Sequence, residues 1–413
     1  MEGKKFRLPQ NAWFGDAEVE ITLPAEWQVE LAHIPADALP PLREVEIAGR
    51  LLNPTASPPL SQLAGGRRKA VIIFDDLSRP TMVDAVAPLV IEELLKGGMR
   101  EENISFVAAL GAHGAHTLLD FTKKLGEQIV GRFPVYNHNP YEHCSYVGQT
   151  SSGIPIYINN EVLSADLKIG IGSILPHAFN GFGGGGKIVF PGVAGMESIY
   201  QNHRKVIADL KARKVGFAGN MGDMENSRMK EDIEEVVRMI DFNFKIDLLP
   251  NSKRQAVEMV AGDPVFAHRK GVKMGAKLYL TDFHGGADIV IANANAKANE
   301  ALIALLQGAA SLKESGGDLV LIVDCPAGQV VHYLLGQSGA ESGGKLWSGD
   351  ASFPPHIQRG ILFTPNSGQR FGLFRRLIEC HRWQDVLELL QEKYSAGARV
   401  VVYKDGTMQY FRR

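Results

Sequence analysis

Cysteine is scarce in this chain: Cys144, Cys325 and Cys380 are scattered over 413 residues, with no C-x-x-C pair. That excludes a disulfide framework and a cysteine-built zinc site, and it suits a reducing, cytoplasmic compartment. No apolar run reaches 18 residues, so no membrane-spanning helix is expected. The opening Met-Glu-Gly-Lys-Lys-Phe-Arg is polar, unlike a leader with an apolar centre. Charge of one sign is also lacking: 44 Lys and Arg stand against 46 Asp and Glu, a net charge of −2. Nucleic acid and an anionic membrane are therefore not expected partners. What is present is 45% hydrophobic and 22% charged residues, an ordinary globular composition. The length exceeds one core and fits two or three domains.

The hydrophobic pattern reads as α/β. Residues 5–35 alternate apolar and polar positions and suggest short strands. Val71–Phe74 is a short buried strand, 83–96 a helix stopped by Gly97-Gly98, and Ile104–Leu110 the next strand. A helix over roughly 117–131 and a strand over 166–171 follow. Ser227–Met239 reads as a polar helix. After a junction near 270–285, strands are expected at 288–292, 318–323 and 360–363, with helices near 298–307 and 371–392. The expected fold is two α/β domains with mostly parallel sheets and a cleft between them. The first domain is read as 1–272 and the second as 285–403, with a tail, 404–413, that returns to the first.

Chemistry-bearing residues fall at strand ends. The first strand runs into Asp75-Asp76-Leu-Ser-Arg79-Pro80, and the second into Gly111-Ala-His113-Gly-Ala-His116. The 166–171 strand leads to Pro176-His177, then Gly181-Phe-Gly-Gly184-Gly185-Gly186-Lys187, with Asn202-His203 further on. In open parallel sheets ligands bind beyond the carboxyl ends of strands, so Asp76, Arg79, His113 and His177 should share one edge. Arg79 offers a planar fork to a carboxylate or phosphate. Two histidines flanking a substrate suit opposite-face proton transfer, as a racemase or epimerase needs. The glycines let a backbone or a bulky ligand approach Lys187. Gly181 to Lys187 also matches G-x-x-x-x-G-K, but Ile188 replaces the hydroxyl residue of a P-loop. A phosphate- or nucleotide-binding glycine loop remains the alternative reading.

The ordered set Asp-x-x-Arg-Pro, Gly-x-His, Pro-His-x-x-x-Gly-x-x-Gly-Gly-x-Lys-x-x-x-Pro-Gly and Asn-His resembles the nickel-pincer nucleotide-dependent lactate racemase family over roughly residues 70–270. The resemblance implies a nickel-bearing pyridinium bisthiocarboxylic acid mononucleotide joined to Lys187 through a thioamide, loaded with the help of cofactor-maturation enzymes. It implies that Asp76, Gly184, Gly185 and Gly186 belong to the cofactor-binding motifs and that His203 is the protein ligand to nickel. It further implies that His113 and His177 are acid and base on the substrate hydroxyl and that Arg79 holds the substrate. Hydride would pass reversibly between the substrate α-carbon and the cofactor, a 2-oxo acid standing between the enantiomers. An oxidoreductase on the same cofactor is a second reading.

Two departures bear on the substrate. The family reads Ser-Gly-Gly-Arg-Lys where this chain has Gly183-Gly184-Gly185-Gly186-Lys187. The family holds lactate from the second domain with a Tyr-Gln and a Lys, and the Gln and Lys fall on apolar residues in the stretch after Asn293. Lys297, Asn295 and Asn299 are the candidate replacements. The expected substrate is a small 2-hydroxy acid other than lactate, or a larger hydroxylated one.

Overall fold

The computed structural model describes residues 3–215, 220–225, 227–346, 354–365 and 377–411. Two six-stranded sheets form its frame. The first runs, edge to edge, Ala256–Gly262, Phe244–Pro250, Leu167–Ser173, Ala70–Asp75, Ile104–Ala109, Val135–Asn137. Every pairing in it is parallel except that of Ala256–Gly262 with Phe244–Pro250. The second runs Ile378–Cys380, Ile357–Phe363, Gly317–Val323, Ile289–Ala294, Arg399–Tyr403, Gln28–Ala32 and is parallel throughout. The α/β class and the mostly parallel sheets expected from the hydrophobic pattern are what the chain adopts.

Central strands are apolar on both faces because helices cover both sides. In Ala70–Asp75, Ile72 and Phe74 face one core cluster, while Val71 and Ile73 face another. In Ile289–Ala294, Val290 and Ala292 face one side, Ile289 and Ile291 the other. The period-2 pleat thus divides one continuous apolar run between two cores.

Three points depart from the expected organisation. Residues 1–272 are not one contiguous unit: Gln28–Ala32 pairs with Arg399–Tyr403 in the second sheet. The hairpin Lys4–Gln10/Ala17–Leu23 packs its Leu8, Ile21 and Leu23 into that sheet's core. Phe244–Pro250 and Ala256–Gly262 are strands where none was expected; Lys245 and Asp247, an ion pair at 2.6 Å with both side chains fully buried, give the first a polar appearance. The helix expected over 371–392 is Trp383–Gln391, and residues 371–376 lie outside the described set. The tail strand Tyr410–Phe411 pairs with Leu280–Thr281, and Met408 packs with Ile174, Leu175 and Phe182. Among the described residues no helix is long and apolar enough to cross a membrane.

The order of the first sheet fixes where a ligand can sit. From Ala70–Asp75 the chain builds outward to Ile104–Ala109 and Val135–Asn137, then returns to add Leu167–Ser173 on the opposite side. The crevice beyond the carboxyl ends of these two central strands is the switch point.

Candidate active site

A cleft of about 200 Å³ opens there, lined by Asp76, Arg79, His113, His177, Lys187 and His203 from the first sheet's loops and helices. All six expected side chains therefore converge. The second sheet contributes Lys297 and Glu300, just beyond Ile289–Ala294, and His332.

Asp76 organises one side. Its Oδ2 accepts from His113 Nδ1 at 2.5 Å, and its Oδ1 accepts from the Ser78 amide at 3.0 Å and from the Ser78 hydroxyl. Burial alone would raise the Asp76 pKa, but His113 and Arg79 outweigh it and hold the carboxyl far below its usual range. An ionised Asp76 keeps the His113 proton on Nδ1 and leaves Nε2 bare, the form of a general base. His177 is held the other way. Its Nδ1 accepts from the Phe179 amide at 3.1 Å, so the neutral ring carries its proton on Nε2, 3.0 Å from Lys187 Nζ. Burial, then the Lys187 charge, pushes the His177 pKa well down.

Lys187 sits on the turn Gly185–Ile188. Burial, then the neighbouring Arg79 charge, lowers its pKa to about 7, so near neutrality much of it is free amine able to accept from His177 Nε2. His203 lies on helix Met196–Ala212, buried edge-on against Phe179, and burial first lowers its pKa to about 3. Its Nδ1 and both amide atoms of Asn202 are buried without hydrogen-bond partners.

Arg79 Nη1 donates to Glu300 Oε2 at 2.6 Å and to the Ser78 carbonyl and hydroxyl oxygens, both at 2.9 Å. Burial works against the Glu300 charge, yet Arg79 and Lys297 together keep its pKa lowered. Lys297 is buried, which with Arg79 brings its pKa to about 8. Of the candidate replacements on this stretch only Lys297 lines the cleft. Asn295 donates to the Ser252 carbonyl at 3.1 Å and Asn299 lines a neighbouring pocket. Glu300 and His332 were not singled out in the sequence. Glu300, three residues past Lys297, carried the only available signal.

The glycine run divides by role. Gly183 and Gly184 line the cleft; Gly185 and Gly186 do not. A Cβ on Gly185, at φ +56°, would lie 2.5 Å from the His268 ring, and one on Gly186 would lie 2.3 Å from Val237. Those two glycines let the turn pack against helices rather than touch a ligand. The P-loop reading also fails on geometry: the Gly185 amide donates to Asp247 Oδ2 at 2.8 Å, so a carboxylate occupies the position a phosphate would need. His116 Nε2 accepts from the Leu77 amide at 3.1 Å and is used up in the turn.

Beneath the site lies Lys124, fully buried. It pairs with Asp75 at 2.8 Å and donates to the carbonyls of Asp76 (3.0 Å) and Arg79 (2.9 Å). It thereby staples the 75–79 loop. Lys124→Met should leave Asp75 as an unpaired buried acid and cost about 3–5 kcal/mol, read as a lower urea midpoint at unchanged slope.

Comparison with known proteins now bears on this arrangement. Residues 14–214 match the lactate racemase N-terminal domain. Over these residues the chain is similar to lactate racemases. The lactate racemase of Thermoanaerobacterium thermosaccharolyticum is 29% identical over 296 residues, 70% of this chain and 67% of that protein. The lactate racemase of Lactiplantibacillus plantarum is 33% identical over 222 residues, 53% of this chain and half of that protein. The lactate racemase apoprotein structure from T. thermosaccharolyticum shares the fold with a TM-score of 0.74 at 20% identity, covering 99% of this chain and 100% of that one. A protein of known structure from Thermotoga maritima does so with a TM-score of 0.64 at 18% identity, covering 90% and 98%. In this chain Asp76, Arg79, His113, His177, Lys187 and His203 lie around one cleft.

Proposed function

We propose that the chain racemises or epimerises a 2-hydroxy acid other than lactate, using a nickel-pincer nucleotide attached at Lys187. The observation that supports it is the convergence of a base-ready His113, a proton-bearing His177, a lysine whose pKa is lowered to about 7 and a buried His203 on one cleft.

The residues present fit such a group. Lys187 has the free amine that acylation needs. His203 is buried, and its ring is held unprotonated, as a metal donor must be. Gly183 leaves the wall of the cleft open: a Cβ there would meet nothing closer than 3.7 Å. His203 would hold the metal, and the bound group would supply its other donors. When bound, that group supplies a reversible hydride acceptor.

The chain does the rest. Arg79 retains Nε and Nη2 for the substrate carboxylate, since the bonds it forms among the described residues all use Nη1. His113 Nε2 takes the hydroxyl proton, and Asp76 stabilises the imidazolium that forms. His177 serves the hydroxyl from the other side. The buried wall excludes water, which keeps the 2-oxo acid bound until it is reduced on either face.

The test is intact-protein mass spectrometry with metal analysis, on protein co-produced with the maturation enzymes. The expected result is an adduct on the Lys187 peptide, nickel near one per chain, and conversion of one pure enantiomer to an equal mixture. Release of 2-oxo acid in place of the second enantiomer would instead establish an oxidoreductase.

A further inference from the structure

The second sheet's side of the cleft sets Lys297, Glu300 and His332 beside the apolar Ile303 and Leu335. Glu300 spends Oε2 on Arg79, and its Oε1 receives no hydrogen bond among the described residues. His332 Nδ1 accepts from the amides of Leu334 and Leu335, both at 3.2 Å. That double acceptance puts the neutral ring's proton on Nε2, a fixed donor. The ring lies between His113, at 5.4 Å centroid to centroid, and His203, at 6.0 Å. Its place is set from both sides: the Tyr333 amide donates to the Ala112 carbonyl at 2.9 Å, and the Gly114 amide to the Val331 carbonyl at 3.1 Å. One open acceptor and one open donor therefore line the same cleft as His113, which serves the hydroxyl, and Arg79, which serves the carboxylate.

A lactate methyl would cover both groups without pairing either. A hydroxyl at C3 satisfies both, donating to Glu300 Oε1 and accepting from His332 Nε2. We infer that the substrate is a 2,3-dihydroxy or longer polyhydroxy acid, and that Glu300 is the residue that selects it. This rests on the function proposed above and names its substrate class.

Glycerate and lactate make the test, because they differ by that one hydroxyl. Loaded enzyme, with its Lys187 adduct and nickel confirmed, is assayed on a single enantiomer of each by chiral chromatography. The expected kcat/KM for glycerate exceeds that for lactate by about 100-fold or more, since sites that hydrogen-bond a substrate hydroxyl reject its deoxy analogue strongly. Glu300→Leu should bring the ratio close to one. Glu300→Gln, which keeps an acceptor oxygen, should retain a preference within about tenfold of the parent. Activity on lactate without preference for glycerate overturns the inference and leaves the proposed function standing. An equal loss on both acids in Glu300→Leu also overturns it, leaving Glu300 as a structural partner of Arg79. Inactivity of the loaded protein on both acids and on four- to six-carbon aldonic acids overturns the inference and leaves the proposed function to its own test.

Discussion

Lys187→Ala is expected to abolish the mass adduct, reduce nickel to background and remove racemisation to below detection, while the protein still folds. Lys187→Arg should do the same, because a guanidinium stays protonated and cannot be acylated at neutral pH. The reasoning starts from burial. The Lys187 side chain lies against His177 in a cleft that also holds the Arg79 and Lys297 charges, and its pKa falls to about 7. At pH 7 an ordinary lysine, with a pKa near 10.4, has on the order of a thousandfold less free amine. Competitive acetylation of the cofactor-free protein with acetic anhydride should therefore single out Lys187, with a midpoint near pH 7 and a plateau above pH 8. Flat labelling with the midpoint of an ordinary lysine would remove the electrostatic basis of the assignment. The same shift has a stability consequence. The folded pKa is depressed below the unfolded one, so between about pH 7 and 10 the unfolded chain binds more protons at this site. Its contribution to the stability of the cofactor-free protein thus rises with pH across that window and is lost on acidification through 7.

The parts of this site legible in the sequence were those carried by local context. Asp76, Arg79, His113 and His177 each follow a short apolar strand that ends in a turn, and such strand ends in a parallel sheet share an edge. Lys187 and His203 were visible through the glycine run and the Asn-His pair. What could not be read depends on distant packing. Gly185 and Gly186 looked like ligand contacts, yet their missing side chains admit His268 and Val237, residues 83 and 51 positions later by number (268 − 185; 237 − 186). Phe244–Pro250 hid as a strand because its Lys245 and Asp247 neutralise one another in the core. Gln28–Ala32 pairs with a strand some 370 residues downstream (399 − 28 = 371), which no local signal records. Glu300 and His332 gain their roles where the two sheets meet, and Lys124 where helix Leu118–Leu125 packs beneath the 75–79 loop.

His113→Asn is expected to lower racemisation by about 10²–10⁴-fold, the range for losing a positioned general base. The fall in kcat/KM must be equal from either enantiomer, because the equilibrium constant between mirror images is one and no variant can alter it. The two oxidation half-reactions are under no such constraint. If His113 and His177 serve opposite faces, His113→Asn should still form 2-oxo acid from one enantiomer in a single turnover, trapped as a hydrazone, and not from the other. His177→Asn should show the reverse preference, which requires the His177 proton to move from Nε2 to Nδ1, releasing the Phe179 amide, before that enantiomer is oxidised. Loss of oxidation from both enantiomers in either variant would mean that one histidine serves both faces. Asp76→Asn separates orientation from basicity. The amide can present its NH₂ to His113 Nδ1, which moves the ring proton to Nε2 and removes the lone pair facing the cleft. It should therefore match the His113→Asn pattern, sparing the same enantiomer, although the imidazole is still present. A variant that is slow but symmetric would instead make Asp76 a support for the Ser78 turn, whose amide its Oδ1 also holds at 3.0 Å.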